Sequence, residues 1–254
     1  MLTSPQPPLR HLPGQYVDLH IPGVSTVGGF TITSPPQTAV SSSTSPYIEL
    51  AIQKSPGNPP AAYLWQRIPS IQDAPISFKI GGNFAYPPLT RNRQECESID
   101  RAVFIAGGVG INPIMSMLSA IDGIGEGRIG GVPKTVRVLY SSRRGKNDGG
   151  SAEAVLFEDR LADLSKRWSS SKSVDWEYTF FETNGGTETS TAHPKTERRR
   201  IAHSDLIEAL GPEDSRANTV VYVCGIPQMT DDFVAFLSTQ PGMNEKRVLC
   251  EKWW

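Results

Sequence analysis

Two glycine-bearing turns stand out in this sequence, and the first has the residue types and spacing to bring a backbone close to a phosphate. The first reads AGGVGINP and runs through Gly107, Gly108, Val109, Gly110, Ile111, Asn112 and Pro113. Glycine lets a chain turn tightly, and a helix that starts just after it offers free N–H groups and the positive end of its dipole. The pattern is G-x-G-x-x-P, and the same glycines could serve only to join a strand to a helix. The second turn, VCGIPQM, ends an apolar run on Cys224 and sets Gly225, Pro227 and Met229 at the entry to a helix. A free cysteine there is commonly a small buried hydrophobe. A third stretch, CEKWW, closes the sequence on Glu251, Lys252, Trp253 and Trp254. Tryptophan carries a large apolar surface and chain ends fray, so these rings need cover from core or from ligand.

The elements that must hold these groups follow from periodicity. Gln15–Ile21 alternates apolar and polar residues and reads as a half-buried strand. Gly28–Ser34, Tyr47–Gln53 and Ala74–Ile80 read as three more strands of an antiparallel barrel or sandwich, with a short helix in PGNPPAAYLWQRI. Arg93–Asp100 reads as a linker. Beyond it the texture changes to near-continuous apolar runs, RAVFIAGG, TVRVLYSS, VDWEYTFFE, TVVYVCG and RVLCEKWW. Between them lie helical patterns: NPIMSMLSAI with Asn112 as N-cap, SAEAVLFEDRLADLSKRW, SDLIEAL and PQMTDDFVAFL. The stretch TNGGTETSTAHPKTERRR reads as a low-complexity loop. Alternating strand and helix predicts a five-stranded, doubly wound parallel sheet, whose ligands bind at the carboxyl ends of the strands. Residues 1–98 and 99–254 are the expected domains.

Composition sets the outer limits. The chain has 254 residues, and its 25 basic and 26 acidic side chains leave a formal charge of −1. That argues against a nucleic-acid partner or an anionic surface. No apolar run approaches the about 18 residues of a membrane-spanning helix. Three cysteines suit a reducing compartment, mitochondrial or cytoplasmic, with no transit peptide visible, and cannot supply a four-cysteine cluster.

Taken in order, GQYVDLHIPG, VGGFTITSPP, GGVGINPIMSML, VYVCGIPQM and CEKWW resemble the ferredoxin–NADP reductase superfamily. The likeness is narrower to the eukaryotic oxidoreductase NAD-binding-domain-containing proteins, and it covers Pro13 to Trp254. It implies a flavin-binding barrel, here partial since only 13 residues precede GQYVDL, followed by an α/β NAD(P)-binding domain. The cofactors it implies are FAD, with FMN less favoured, and NAD(P)H; the electron acceptor is unknown. In the family's R-x-Y-S flavin motif this chain has Gly28, Gly29, Phe30 and Thr31. Phe30 would meet the flavin, Thr31 would hydrogen-bond its N5, and Ile32 and Thr33 would continue the contact. Lys54 is a candidate substitute for the absent arginine. Ala61 and Ala62 stand where hydroxyl residues meet the flavin diphosphate, leaving only backbone N–H groups. Gly107 to Pro113 would hold the nucleotide pyrophosphate. Ser141, Ser142, Arg143 and Arg144 would meet a ribose 2′-phosphate. Cys224, Gly225, Pro227 and Met229 would line the nicotinamide side. Thr31, Cys224, Glu251 and Trp253 are the expected catalytic residues, with Trp253 and Trp254 shielding the flavin. The alternative is a non-catalytic dinucleotide-binding protein with a degraded flavin half.

Overall fold

A computed structural model describes residues 9–40, 46–123, 131–145, 153–171, 174–183 and 195–253. Trp254 and most of the expected low-complexity loop lie outside them. The chain divides into two compact units. One holds the residues up to Leu89 together with Met115–Gly123; the other holds Thr90–Ile114 and Ile124–Trp254.

The first unit is built on an antiparallel sheet of β1 (Tyr16–His20), β2 (Gly28–Thr31) and β3 (Ser77–Gly81), in the order β2-β1-β3. The alternation in β1 turns Val17 and Leu19 into a core shared with Ile21 and Ile32. Two short helices, α1 (Pro59–Leu64) and α2 (Ile68–Ile71), precede β3.

The strand expected over Tyr47–Gln53 is absent: only one bridge forms, between Ile32 and Leu50. The reason is a contact across 15 residues of sequence. The Glu49 N–H donates to Ser34 Oγ rather than to a strand carbonyl, at 3.0 Å, while Thr33 N–H donates to the Glu49 carbonyl at 2.8 Å. Pro35 and Pro36 then follow, with no N–H to carry a ladder onward.

The second unit opens with α3 (Arg93–Glu97), where a linker was expected. Asn92 and Glu95 close a capping box, with bonds of 3.0 and 2.9 Å. The central sheet then alternates with helices: β4 (Arg101–Gly107), α4 (Ile111–Asp122), β5 (Thr135–Ser142), α5 (Glu158–Ser171), β6 (Asp175–Glu182), β7 (Thr196–Glu197), α6 (His203–Leu210), β8 (Thr219–Gly225), α7 (Pro227–Ser238) and β9 (Val248–Lys252). All its strands are parallel, in the order β7-β6-β5-β4-β8-β9. The sheet therefore has six strands rather than five. The added β7 lies in the stretch expected to be loop; Lys195 before it bonds Glu177 at 2.8 Å.

Buried on both faces, β4 carries an unbroken apolar run from Ala102 to Ala106. Val103, Ile105, Val221 and Val223 face Leu206, Leu210, Phe233 and Leu237 in one core. On α5, Leu161, Leu164 and Trp168 are buried, and the Trp168 and Trp176 rings meet edge-on at 4.8 Å.

The helix expected from Ser151 starts only at Glu158. Phe157 sits in the left-handed region at φ 62°, which breaks helical continuity before it. Arg144, expected near a ribose phosphate, instead closes this turn. It forks onto Glu158 with bonds of 3.0 and 2.9 Å, both side chains under one-tenth exposed.

Removing one member of that pair leaves the other charged and buried. Glu158→Ala is expected to destabilise the protein by about 3–5 kcal/mol in urea unfolding, and the double change Arg144→Met with Glu158→Leu by clearly less. Equal losses would show that the pair's charges do not matter.

Candidate functional site

Strands β4 and β8 are neighbours, yet the chain leaves β4 towards β5 on one side while β8 and β9 lie on the other. Their carboxyl ends thus flank the point where an open parallel sheet forms its crevice. Each strand ends on glycine for a reason of space. A Cβ on Gly107 would stand 3.0 Å from both Sδ and Cε of Met229; one on Gly225 would stand 2.5 Å from that Cε. The Met229 thioether therefore lies in the notch the two glycines leave. A Cβ on Gly110 would run into the Cys224 carbonyl.

Gly108 differs. It has φ +54°, and no heavy atom lies within 4 Å of where its Cβ would stand. Of the expected phosphate turn, only Gly107, Gly108 and Val109 reach the surface; Gly110, Ile111, Asn112 and Pro113 are buried. A 3-10 turn at Gly108–Gly110 leads directly into α4 at Ile111, so Asn112 lies within the helix and is not its N-cap. The Ile111 N–H is already taken by the carbonyls of that turn, so the open surface of the turn is at Gly108 and Val109.

The end of the chain is stitched to the same edge. In the β8–β9 ladder Cys224 stands opposite Glu251 and Gly225 opposite Lys252. Trp253 N–H then donates to the Gly225 carbonyl at 3.1 Å. Lys252 also pairs with Asp231 of α7 at 2.6 Å. Cys224, distant in sequence, is thereby brought to Glu251 and Trp253.

Cys224 is fully buried. Burial, and secondarily the Glu251 charge, raise its thiol well above the ordinary range, so it is neutral. Burial likewise pushes the Glu251 carboxyl up from 4.5 to about 7, with the Trp253 indole opposing the rise. The indole N–H approaches both groups but closes no hydrogen bond of ordinary length, so Glu251 Oε2 and Trp253 Nε1 stand buried and unpaired among the described residues. An acceptor and a donor left unsatisfied side by side suit a ligand that carries one of each. A nicotinamide carboxamide does, so the nicotinamide end of a dinucleotide fits the residues present.

On the ribose side, Ser141 and Ser142 are half-buried at the end of β5 and Arg143 is exposed. Arg144 is held by Glu158 and does not join them.

The flavin motif of the first unit is less accommodating. A Cβ on Gly28 would stand 2.5 Å from the Phe30 ring and 2.6 Å from Pro60. The arginine of the family motif thus has no room, because Phe30 and Pro60 close over the position. Thr31 is buried, with 4% of its surface exposed. Ile32 is core, and the Thr33 hydroxyl is committed to Glu49 at 2.9 Å. Lys54 is exposed.

The backbone N–H groups expected to remain at the head of α1 are not free. Pro59 and Pro60 occupy its first two positions and have none. Ala61 N–H is taken by Asn58 Oδ1 at 3.2 Å and Ala62 N–H by the Asn58 carbonyl at 2.8 Å. A flavin diphosphate does not fit these residues. The proline pair that removes two donors was a signal present in the sequence; the capping by Asn58 became visible only in the fold.

Residues 104–235 match the oxidoreductase NAD-binding domain family model. The bovine (Bos taurus) oxidoreductase NAD-binding domain-containing protein 1 is 32% identical over 95% of this chain and 71% of its own length. Among solved structures, the Amycolatopsis cytochrome P450 reductase GcoB superposes over 97% of this chain and 62% of its own, with TM-score 0.63 and 17% identity. A ferredoxin NADP+ reductase from Neisseria gonorrhoeae with bound FAD and NADP superposes over 99% of this chain and 90% of its own, with TM-score 0.60 and 17% identity. A switch-point crevice under a glycine turn, a cysteine-glycine turn beside it and a carboxyl-terminal acid and aromatic closing the edge agree with these matches: the chain belongs to the oxidoreductase NAD-binding domain family, with the fold of the ferredoxin–NADP reductases.

Proposed function

We propose that this chain is an NAD(P)H-dependent oxidoreductase that passes hydride from dihydronicotinamide to a flavin and from there electrons to a further acceptor. The observation that carries the reading is the unsatisfied pair Glu251 Oε2 and Trp253 Nε1 at the switch point. The Gly108 turn supports the pyrophosphate. The Trp253 indole N–H serves the carboxamide oxygen and Glu251 its amide. Neutral Cys224 and the Met229 thioether form an apolar floor that excludes water below the ring. With a pKa near 7, Glu251 also holds or releases a proton under physiological conditions.

The closed head of α1 favours a second reading, a dinucleotide-binding protein without redox turnover. Anaerobic oxidation of NADH or NADPH, followed at 340 nm with added flavin, separates the two. Turnover supports the oxidoreductase, and nucleotide binding without turnover supports the alternative.

The sign of the pH dependence follows from Glu251. Its folded pKa lies above its unfolded one, so ionisation is disfavoured in the fold. Any stability it withholds is lost as pH rises from about 4.5 to about 7. As a proton donor it is active below about 7, so kcat should fall as pH rises through that value. Glu251→Gln should lower kcat by about a hundred-fold and flatten the profile. An unchanged inflection in the variant would remove Glu251 from the proton path. Trp253→Phe keeps an aromatic face and removes the N–H. It should raise the nucleotide KM by about two- to ten-fold, the worth of one hydrogen bond, with little change in kcat.

A further inference from the structure

We infer that Met229 is an oxidation site: hydrogen peroxide converts its thioether to the sulfoxide, and the added oxygen closes the notch to a nicotinamide dinucleotide. The inference rests on the proposed nucleotide site and names what regulates it.

The place of the sulfur sets the consequence. Met229 is the third residue of α7 and is partly buried against the core of the second unit. Its Sδ and Cε both lie 3.0 Å from where a Cβ on Gly107 would stand, and Cε lies 2.5 Å from one on Gly225. The side facing the two glycines thus has no space for another heavy atom. A new oxygen points into the crevice or lifts the side chain out of the notch. Either way a flexible apolar group becomes a polar one. A nicotinamide ring laid over it has to bury that oxygen, which weakens binding unless a donor meets it.

The other sulfurs of the described residues are placed differently. Met115 and Met117 are 1% and 0% exposed, closed to a dissolved oxidant. Cys224 is fully buried and its thiol neutral, whereas the thiolate is the form that reacts. Cys250 is exposed, but burial of part of the side chain raises its thiol too. A thioether has no proton to lose, so Met229 needs no such activation. Met243 is also partly buried, but it follows the far end of α7, in the turn where Gly242 packs against Arg216.

The step balances with peroxide as the oxidant. Its O–O bond breaks as an S–O bond forms. The sulfur is oxidised by two electrons and the peroxide is reduced by two. The proton on the transferred oxygen leaves with the departing hydroxide as water. Methionine sulfoxide reductase, fed by a dithiol, removes the oxygen again as water, so the block is reversible.

The test treats the full-length chain with hydrogen peroxide and then with dithiothreitol, which returns disulfides and sulfenic acids to thiols and leaves sulfoxides. Peptide mass spectrometry follows the oxygen on each methionine, and calorimetry gives the Kd for NADPH and NADH. Met229 should gain its oxygen well before Met115 and Met117. The Kd should rise about ten-fold or more, the cost of burying one unpaired polar group, and methionine sulfoxide reductase should restore it. In Met229→Leu, peroxide should leave that variant's own Kd unchanged, while Met243→Leu should respond as the unsubstituted chain does. Met229 oxidised no sooner than Met115 would overturn the inference and leave the nucleotide reading intact. So would a fully oxidised Met229 with a Kd within about two-fold of its starting value, or a peroxide effect that persists in Met229→Leu. A chain that binds neither nucleotide before treatment would overturn the proposed function and the inference with it.

Discussion

The close approach of Gly110 to the Cys224 carbonyl is the constraint on which the second unit's site depends. Two parallel strands, β4 and β8, must lie side by side while their connections run to opposite sides. The turn leaving β4 then has to pass over the end of β8 with no room for a side chain. The same crowding explains Gly107 and Gly225, between which the Met229 thioether is seated. Three of the four glycines are thus answers to packing. Only Gly108, with its positive φ and open surroundings, is placed to face a ligand. The surface this turn leaves open is narrower than a glycine-rich motif suggests, and its shape comes from the strands beneath it.

Electrostatics at the edge follow from that packing. Because β9 joins the sheet beside β8, Glu251 is carried opposite the fully buried Cys224, and both are pushed towards their neutral forms. Taking a carboxylate from water without a partner is costly, and a shift in pKa relieves part of that cost. The result is a group near its midpoint at neutral pH, next to an indole N–H that lacks an acceptor. The first unit shows the opposite economy. Every donor at the head of α1 is satisfied internally, so its stability comes without a place for a phosphate.

Much of this was legible in the sequence. The apolar run of β4, the glycine turn after it and the Cys224–Gly225 turn are local patterns, and their order predicted the parallel sheet. The pairing of Cys224 with Glu251 was not legible, since a ladder between residues 224 and 251 leaves no local trace. What failed depended on distant partners. Tyr47–Gln53 has good strand alternation, but Ser34 intercepts the Glu49 N–H. Arg144 looks like a free surface cation until Glu158, 14 residues on, is folded against it. The Thr196–Glu197 strand sits in a polar stretch and forms because β6 offers an open edge. The double proline of α1 did carry its message, the loss of two donors, in plain view.

The central claim is that a nicotinamide dinucleotide lies across the notch between Gly107 and Gly225, over Met229. Carbon-13 labelling of the methionine methyl groups tests it most directly, by NMR titration of the full-length chain with NADPH and NADH. The account predicts a saturable shift of the Met229 methyl resonance with at least one of the two, while the methyls of Met115 and Met117, buried in α4, stay within a much smaller range. A Met229 resonance that does not move at saturating nucleotide would contradict it.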